Sequence, residues 1–318
     1  MTETLHSLSP LSRHLLGSTG LEVTSLCIGC APLGNMPETF AYAVAEEQAL
    51  STIRSVLSSP INFVDTAASY GDGESERRIG LVLRELGGVP PEFVLATKAD
   101  RHLQTGEFTG DQMRRSVERS LGLLGVDRLR ICYLHDPEHI GFAAAMAPGG
   151  PVEALRQLHN AGVIQHLGIA GGPIEMMTEF VETDLFTVAI SHNRYTLLNQ
   201  EAETFWDVCQ QHKVAALNAA PYGSGILAKG PSIYPRYMYG QAPETYLHRA
   251  FSLDALCQRY DVPLAAVALQ FSLRDRRIAS TIVGISKPER LQETLNLAQR
   301  PIPEELWKEM VEMPFSPS

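Results

Sequence analysis

Cysteine is scarce in this chain of 318 residues. There are five, Cys27, Cys30, Cys132, Cys209 and Cys257, odd in number and mostly set inside apolar runs. That argues against a disulfide framework and for a reducing, cytoplasmic setting. Long hydrophobic runs are also missing: no stretch of about 18 apolar residues occurs, and the first sixteen residues are too polar for a signal-peptide core, so neither membrane insertion nor secretion is expected. Basic runs do not exceed pairs such as Arg77-Arg78, Arg114-Arg115 and Arg276-Arg277, and 26 Lys+Arg against 36 Asp+Glu leave a net charge of -10. A nucleic-acid partner, which needs a basic stripe to displace counterions, is not expected. Charged residues make up only 19% and hydrophobic ones 44%, too little charge for a disordered chain and enough apolar surface for a large core. With no internal repeat and no linker, residues 1–318 read as one domain, and oligomeric state leaves no signature.

What is present is alternation. Short apolar, β-branched runs fall at 25–29, 61–65, 92–97, 129–134, 164–169, 186–190, 214–218 and 280–284. Between them, 44–57, 74–86, 109–123, 152–160, 174–182 and 201–211 carry apolar residues at three- and four-residue spacing. Strands apolar on both faces that alternate with helices imply a parallel sheet covered by helices. Eight units, with no early glycine fingerprint, favour a closed (β/α)8 barrel over an open doubly wound sheet. Ahead of the first strand, LSRHLLGSTGLEV (11–23) reads as a hairpin that plugs one barrel end, and Thr109-x-x-Gln112 reads as a capping box. The stretch 220–250, rich in Gly, Pro and Tyr, is the least regular and reads as a functional loop.

In such a barrel, chemistry sits where strands end. Asp65 ends the second strand, Tyr70 follows in DTAASYG, Lys98 ends the third and His135 the fourth. Each alone has a bland reading as a turn cap, a solvated loop residue or a hydrogen-bonded filler. Together they make a proton-transfer site. A phenol with a pKa of about 10 is a poor acid or base at neutral pH, but an ammonium about 4 Å away favours phenolate by about 4 kcal/mol at an effective dielectric near 20, roughly three pKa units. Tyr70 is then the general acid or base, Lys98 its tuner, Asp65 the partner of Lys98, and His135 the group that orients the reacting oxygen. Such a site suits carbonyl/alcohol interconversion.

At these residues the chain resembles the aldo-keto reductase family, over roughly residues 14 to 300. The matching segments are LGSTGLEVTSLCIG, FVDTAASYGDGESERRIG, ATKAD, SVERSLGLLGVDRLRICYLHDPE and TIVGISKPERLQET. The resemblance implies a TIM barrel, NAD or NADP as cofactor, and a catalytic tetrad of Asp65, Tyr70, Lys98 and His135. SERRIG, HDPE, NRYTLL and NAAPYGSGIL look most like the aldose 1-dehydrogenase branch (D-threo-aldose, L-fucose, L-galactose), with pyridoxal 4-dehydrogenase close by. Implied cofactor contacts are Gly284, Ser286, Lys287 and Arg290 along the pyrophosphate and ribose, and Glu293 at adenine. Pro221, Tyr222, Gly223 and Gly225 belong to a cofactor-loop turn. The chain departs from the family at Ala170-Gly171, where a Ser-Asn pair grips the carboxamide, at His192, where Gln is common, and at Ala219, where many members stack an aromatic ring that Tyr222 would have to replace. The backbone N–H groups opening the last helix offer an anion site by themselves.

Three patterns read as decoys. Gly223-x-Gly225-x-x-Ala228 fits a dinucleotide expression, but Gly230-Pro231 stops any helix after it. Cys27-x-x-Cys30 lacks a second pair and reads as buried thiols. His135-x-x-x-His139 has Pro137 between its members, so no metal is expected. The sequence therefore reads as an NAD(P)-dependent enzyme that oxidises an aldose at C1 to its lactone or reduces a small carbonyl compound. Pyridoxal 4-dehydrogenase and a general aldehyde/ketone reductase are the near alternatives. A barrel glycoside hydrolase using carboxylates such as Asp65 and Asp136, or a non-catalytic nucleotide-binding subunit, are the distant ones.

Overall fold

Period-two alternation explains both the barrel and the position of its polar ring. The computed structural model describes residues 12–238 and 240–313, so Leu11 of the expected hairpin and Tyr239 of the long loop lie outside it. Eight parallel strands close a barrel in sequence order: β1 (Leu26–Gly29), β2 (Phe63–Asp65), β3 (Val94–Ala99), β4 (Leu129–His135), β5 (Ile164–Gly171), β6 (Val188–His192), β7 (Ala215–Ala219) and β8 (Ile278–Gly284), with β8 pairing back onto β1. The principal helices between and after them are α1 (Glu46–Leu57), α2 (Glu74–Glu85), α3 (Gly110–Leu124), α4 (Pro151–Asn160), α5 (Ile174–Glu182), α6 (Glu203–Gln211), α7 (Leu264–Leu273) and α8 (Pro288–Gln299). Alternate residues Phe63, Val94, Ala96, Ile131, Tyr133, Val188, Ile190, Ala215, Leu217 and Ile282 fill the interior. Their neighbours Ile28, Val64, Leu95, Cys132 and Leu134 pack outward with the helices. One step further along each inward row stand Asp65, Lys98, His135, Ala170, His192, Ala219 and Gly284.

The hairpin is present and does plug the barrel. Arg13–Leu15 pairs antiparallel with Glu22–Thr24, and Leu16 and Val23 join the interior cluster. Asn62 fastens it there: its side chain donates to the carbonyls of Glu22 and Glu92 and accepts from the Thr24 N–H at 2.8 Å. Tyr133 fits across the interior because residue 168 is glycine, where a Cβ would stand 2.2 Å from the tyrosine ring.

Thr109 caps α3 by accepting from the Gln112 N–H at 3.1 Å. The reciprocal half of the capping box is absent, since the Gln112 amide donates to the Asp100 carbonyl at 3.0 Å. The long segment after β7 is more ordered than its composition implies. It holds the short helix Ile226–Lys229, a two-residue pairing of Arg236–Tyr237 with Gly240–Gln241, and the helix Glu244–Arg259. Together with α7 and the helix Glu304–Glu312, it builds a second apolar cluster around Leu253, Val267 and Leu306. No helix among the described residues is long and apolar enough to cross a membrane.

Candidate active site

The strand ends open onto one cleft of about 510 Å³. Gly29, Asp65, Lys98, His135, Ala170, His192, Ala219 and Gly284 all line it, one from each strand. The ring is asymmetric: Asp65, Lys98 and His135 form a polar arc, whereas Ala170, Ala219, Gly284 and Gly29 contribute almost no side chain.

Tyr70 reaches the polar arc from the β2–α2 turn, and the motif around it exists to hold that turn. The Ala68 N–H bonds the Lys98 carbonyl at 3.1 Å, and the Ser75 N–H bonds the Tyr70 carbonyl at 3.1 Å. The Ser75 hydroxyl donates to the Cys30 carbonyl, and Arg78 donates to those of Leu33 and Val44. Gly71 has φ of +64°, and a Cβ there would sit 1.9 Å from the Gly34 carbonyl oxygen, so the turn lies directly on the loop after β1.

Lys98 Nζ donates to Asp65 Oδ2 at 2.5 Å, to the Thr66 carbonyl at 2.9 Å and to Tyr70 Oη at 3.0 Å. All three ammonium protons are thus engaged, and because Tyr70 accepts from Lys98, its own O–H proton is left to point elsewhere. Burial works against the ammonium, but Asp65 and Tyr70 more than restore it, so Lys98 stays protonated. The expected lowering of Tyr70 does not survive: burial pushes the phenol well above its ordinary range, outweighing Lys98, whose charge Asp65 partly offsets. In this site Tyr70 is a neutral phenol, a proton donor. Asp65, committed to Lys98, does not serve as the free carboxylate that a glycosidase needs.

His135 lies edge-on to Tyr70, with ring centroids 5.8 Å apart. Its Nδ1 meets Asp100 Oδ1 at 2.7 Å, while Asp100 Oδ2 accepts from the Ser69 N–H at 2.8 Å. This pins the Nδ1 proton on the Asp100 side and turns Nε2 toward the cleft. Burial lowers the imidazole's basicity, but Asp100 and Asp136 raise it further, so it is held above the usual histidine range. Asp100 was legible in the sequence, two residues beyond Lys98 and in phase with it, but was assigned no role. Asp136 was noted only as a hydrolase carboxylate. Its Oδ1 stands 3.6 Å from His135 Nε2 and 3.9 Å from His192 Nε2. The neighbouring imidazoles outweigh burial and keep Asp136 ionised, whereas burial lowers His192.

Of the residues assigned to a cofactor, Ala170, His192, Ala219, Pro221, Tyr222, Gly225, Gly284 and Arg290 line the cleft. Gly223, Ser286, Lys287 and Glu293 are not among its lining residues. Gly223 leaves room for the Tyr237 ring, and the Ser286 carbonyl accepts from Gln48 at 2.7 Å. Glu293 pairs with Arg290 at 2.7 Å. Lys287 is the residue before α8, and the expected anion site there is weak: Pro288 has no N–H, and that of Arg290 bonds the Lys287 carbonyl. A second cation appears instead where none was expected. Lys229 lines the cleft with Arg290, stacks 4.1 Å from the Tyr234 ring centroid, and has its ammonium weakened by burial and by the charges of Arg290 and Arg236. The apparent dinucleotide motif is a four-residue helix ended by Gly230, as expected. Of the loop tyrosines, Tyr222 and Tyr234 face the cleft, while Tyr237 packs against Tyr246 and donates to the Asn193 carbonyl.

These features fit a nicotinamide dinucleotide. Asp65 Oδ1 and Tyr222 Oη are buried without hydrogen-bond partners and lie on cleft residues, where hydroxyls or phosphate-bearing groups can satisfy them. The small-residue arc leaves space beside Tyr70 for a flat ring, and Lys229 and Arg290 offer charge for phosphates. Asp136, Glu138 and His192 each bring one polar atom within 4.8 Å of the others, but Glu138 Oε1 already accepts from the Gly172 N–H.

The model of the aldo/keto reductase family matches residues 25–313. D-threo-aldose 1-dehydrogenase from Pseudomonas sp is 32% identical, over 95% of this chain and 97% of its own length. Pyridoxal 4-dehydrogenase from Microbacterium luteolum is 30% identical, over 93% and 95%. L-galactose dehydrogenase from Arabidopsis thaliana is 28% identical, over 88% and 86%. Among solved structures, an aldo-keto reductase from Bacillus halodurans in its holo form superposes with a TM-score of 0.76 at 23% identity, covering 96% of both chains.

Proposed function

The chain belongs to the aldo/keto reductase family of oxidoreductases, and from that premise we propose that it uses NAD or NADP to oxidise an aldose at C1 to the lactone, and runs the reverse reduction of small carbonyl compounds. One observation carries the reading. Lys98 spends a proton on Tyr70 Oη, which leaves the phenol proton free, and His135, whose doubly protonated form Asp100 and Asp136 favour, offers Nε2–H beside it, so two donors face the cleft floor. When bound, nicotinamide takes hydride from C1 in oxidation and returns it in reduction. Tyr70 gives its proton to the carbonyl oxygen in reduction and takes the hydroxyl proton in oxidation. His135 orients that oxygen through the Nε2–H of its protonated form, which Asp100 at Nδ1 stabilises. Asp65 Oδ1 would accept a ribose hydroxyl of the bound cofactor, and Arg290 and Lys229 would hold its phosphates. With one cation on α8 and the other on the loop after β7, both cofactors are accepted with at most moderate preference.

The sugar assignment draws on the dehydrogenase relatives. The test is a panel of aldoses, pyridoxal and simple aldehydes, assayed with each cofactor in both directions. Lactone formation from at least one aldose is expected. Turnover of pyridoxal or simple aldehydes with no aldose oxidised would replace the sugar reading, and no turnover with either cofactor would end the enzymatic one.

A further inference from the structure

Asp136 is placed at the active site by a tightly held turn. It follows His135 at the mouth of β4 with φ 45° and ψ 55°, a left-handed backbone that aspartate, like Asp72, Asp184 and Asp261 here, adopts more readily than most residues. The chain is fixed in that shape: the Asp136 N–H bonds the Ala170 carbonyl on β5 at 2.8 Å, and the His139 N–H bonds the Asp136 carbonyl at 3.2 Å. The turn sets the carboxylate on the wall of the cleft.

Its surroundings indicate its use. Oδ1 is buried and has no hydrogen-bond donor. Two imidazole nitrogens face it, His135 Nε2 at 3.6 Å and His192 Nε2 at 3.9 Å; both stand beyond hydrogen-bond reach, and burial disfavours the charged form of His192. A carboxylate oxygen taken from water in this way lacks a donor, and an ionised carboxylate can only accept. It therefore cannot supply the donors that the reacting carbonyl oxygen needs in reduction, and in oxidation the proton of the reacting hydroxyl goes to Tyr70. The group it serves must carry a proton and must lie beside the reacting carbon, because Asp136 adjoins His135.

We propose that Asp136 recognises the substrate hydroxyl on the carbon next to the one oxidised, the C2 hydroxyl of an aldose, and so selects sugars over carbonyl compounds that lack it. The inference rests on the reaction proposed above. A site built around a buried acceptor rejects an analogue lacking the matching hydroxyl much more strongly than an apolar pocket rejects an extra one, because the acceptor is then left unsatisfied.

The test compares, in one preparation, kcat/KM for the aldose that the protein oxidises best and for its 2-deoxy counterpart, in the parent and in Asp136→Gly. Glycine adopts the left-handed backbone freely and removes the acceptor, and a ratio taken within one preparation does not depend on how much of it is folded. The parent is expected to favour the 2-hydroxy sugar at least tenfold, and Asp136→Gly to shrink that preference by a factor of ten or more. An unchanged ratio in Asp136→Gly, or a parent indifferent to the C2 hydroxyl, overturns the assignment of Asp136 while leaving the reaction standing. A parent that oxidises no aldose overturns the reaction first, and this inference with it.

Discussion

At the residue scale, the proposed proton transfer falls to Tyr70, and its neighbours set when the phenol can give up its proton. Tyr70→Phe is expected to lower kcat by about 10²- to 10⁴-fold, the usual worth of a positioned proton donor, with cofactor affinity nearly unchanged in a fluorescence titration. Activity within a few-fold of the parent would remove Tyr70 from that role. Lys98 lowers the phenol's pKa even though burial wins overall, so Lys98→Met lets it rise further. Oxidation, which needs the phenolate, should then show its controlling pKa displaced to higher pH. A pH–rate profile that only scales down would make Lys98 a scaffold residue. Asp65, Lys98 and His135 were legible because a strand's last inward residue is marked by its sequence position, and Tyr70 because it follows Asp65 by five residues in the turn after β2. The net pull on Tyr70 was not, because it depends on burial and on how fully Asp65 neutralises Lys98, which are properties of the packed site. Lys229 was invisible for a different reason: it reaches the cleft only through the fold of the segment after β7.

At the scale of elements, the eight strands stand out because apolar and β-branched residues dominate both faces of each run, even where one carries Arg130, Gln165 or Ser280. The helices on the barrel's outer surface are marked by one-sided polarity. Where that signal fails, so does the reading. In α7, LAAVALQFSL is buried nearly all round, between the second apolar cluster and the barrel, so it has no polar face to betray a helical period. Packing inside the barrel gives the sharpest test at this scale. Gly168→Ala on β5 would drive a methyl group into the fully buried Tyr133 ring, 2.2 Å from its nearest carbon. The expected loss is about 1–3 kcal/mol in urea denaturation, typical of overpacked cores. A midpoint equal to the parent's would mean that the ring can shift, and that β4 and β5 are less tightly seated than their contacts indicate.

For the whole molecule, the net charge of -10 describes the outer surface and says nothing of the cleft, where Lys229 and Arg290 meet. Local charge matters in the interior as well. Glu76 on α2 is completely buried, accepts from the Thr97 hydroxyl, and is pushed up to about 7 from an ordinary 4.5 chiefly by burial. Its folded pKa exceeds its unfolded one, so the folded protein holds a proton that the unfolded chain releases between those values. This contribution to stability, on the order of 3 kcal/mol, is complete below about pH 4.5 and is lost as pH rises through about 7. Glu76→Gln keeps an acceptor for Thr97 and cannot titrate, so its melting temperature should fall less than the parent's between pH 4.5 and 7.5, the range set by the two pKa values. Parallel melting curves across that range would show that Glu76 is not the group responsible.

The saturation of Lys98 has a consequence outside proton transfer. Aldehydes condense with free amines to imines, and an enzyme that admits them risks poisoning by its own substrate. A lysine on the cleft floor would be the obvious casualty, yet Lys98 has every proton bound to an acceptor and its ammonium form reinforced, so it offers no lone pair for attack. The vulnerable amine is Lys229, whose ammonium is weakened by burial and by neighbouring guanidinium groups. Any self-inflicted adduct in this cleft therefore forms at the phosphate end, where a bound dinucleotide would shield it, and the catalytic floor is left chemically inert.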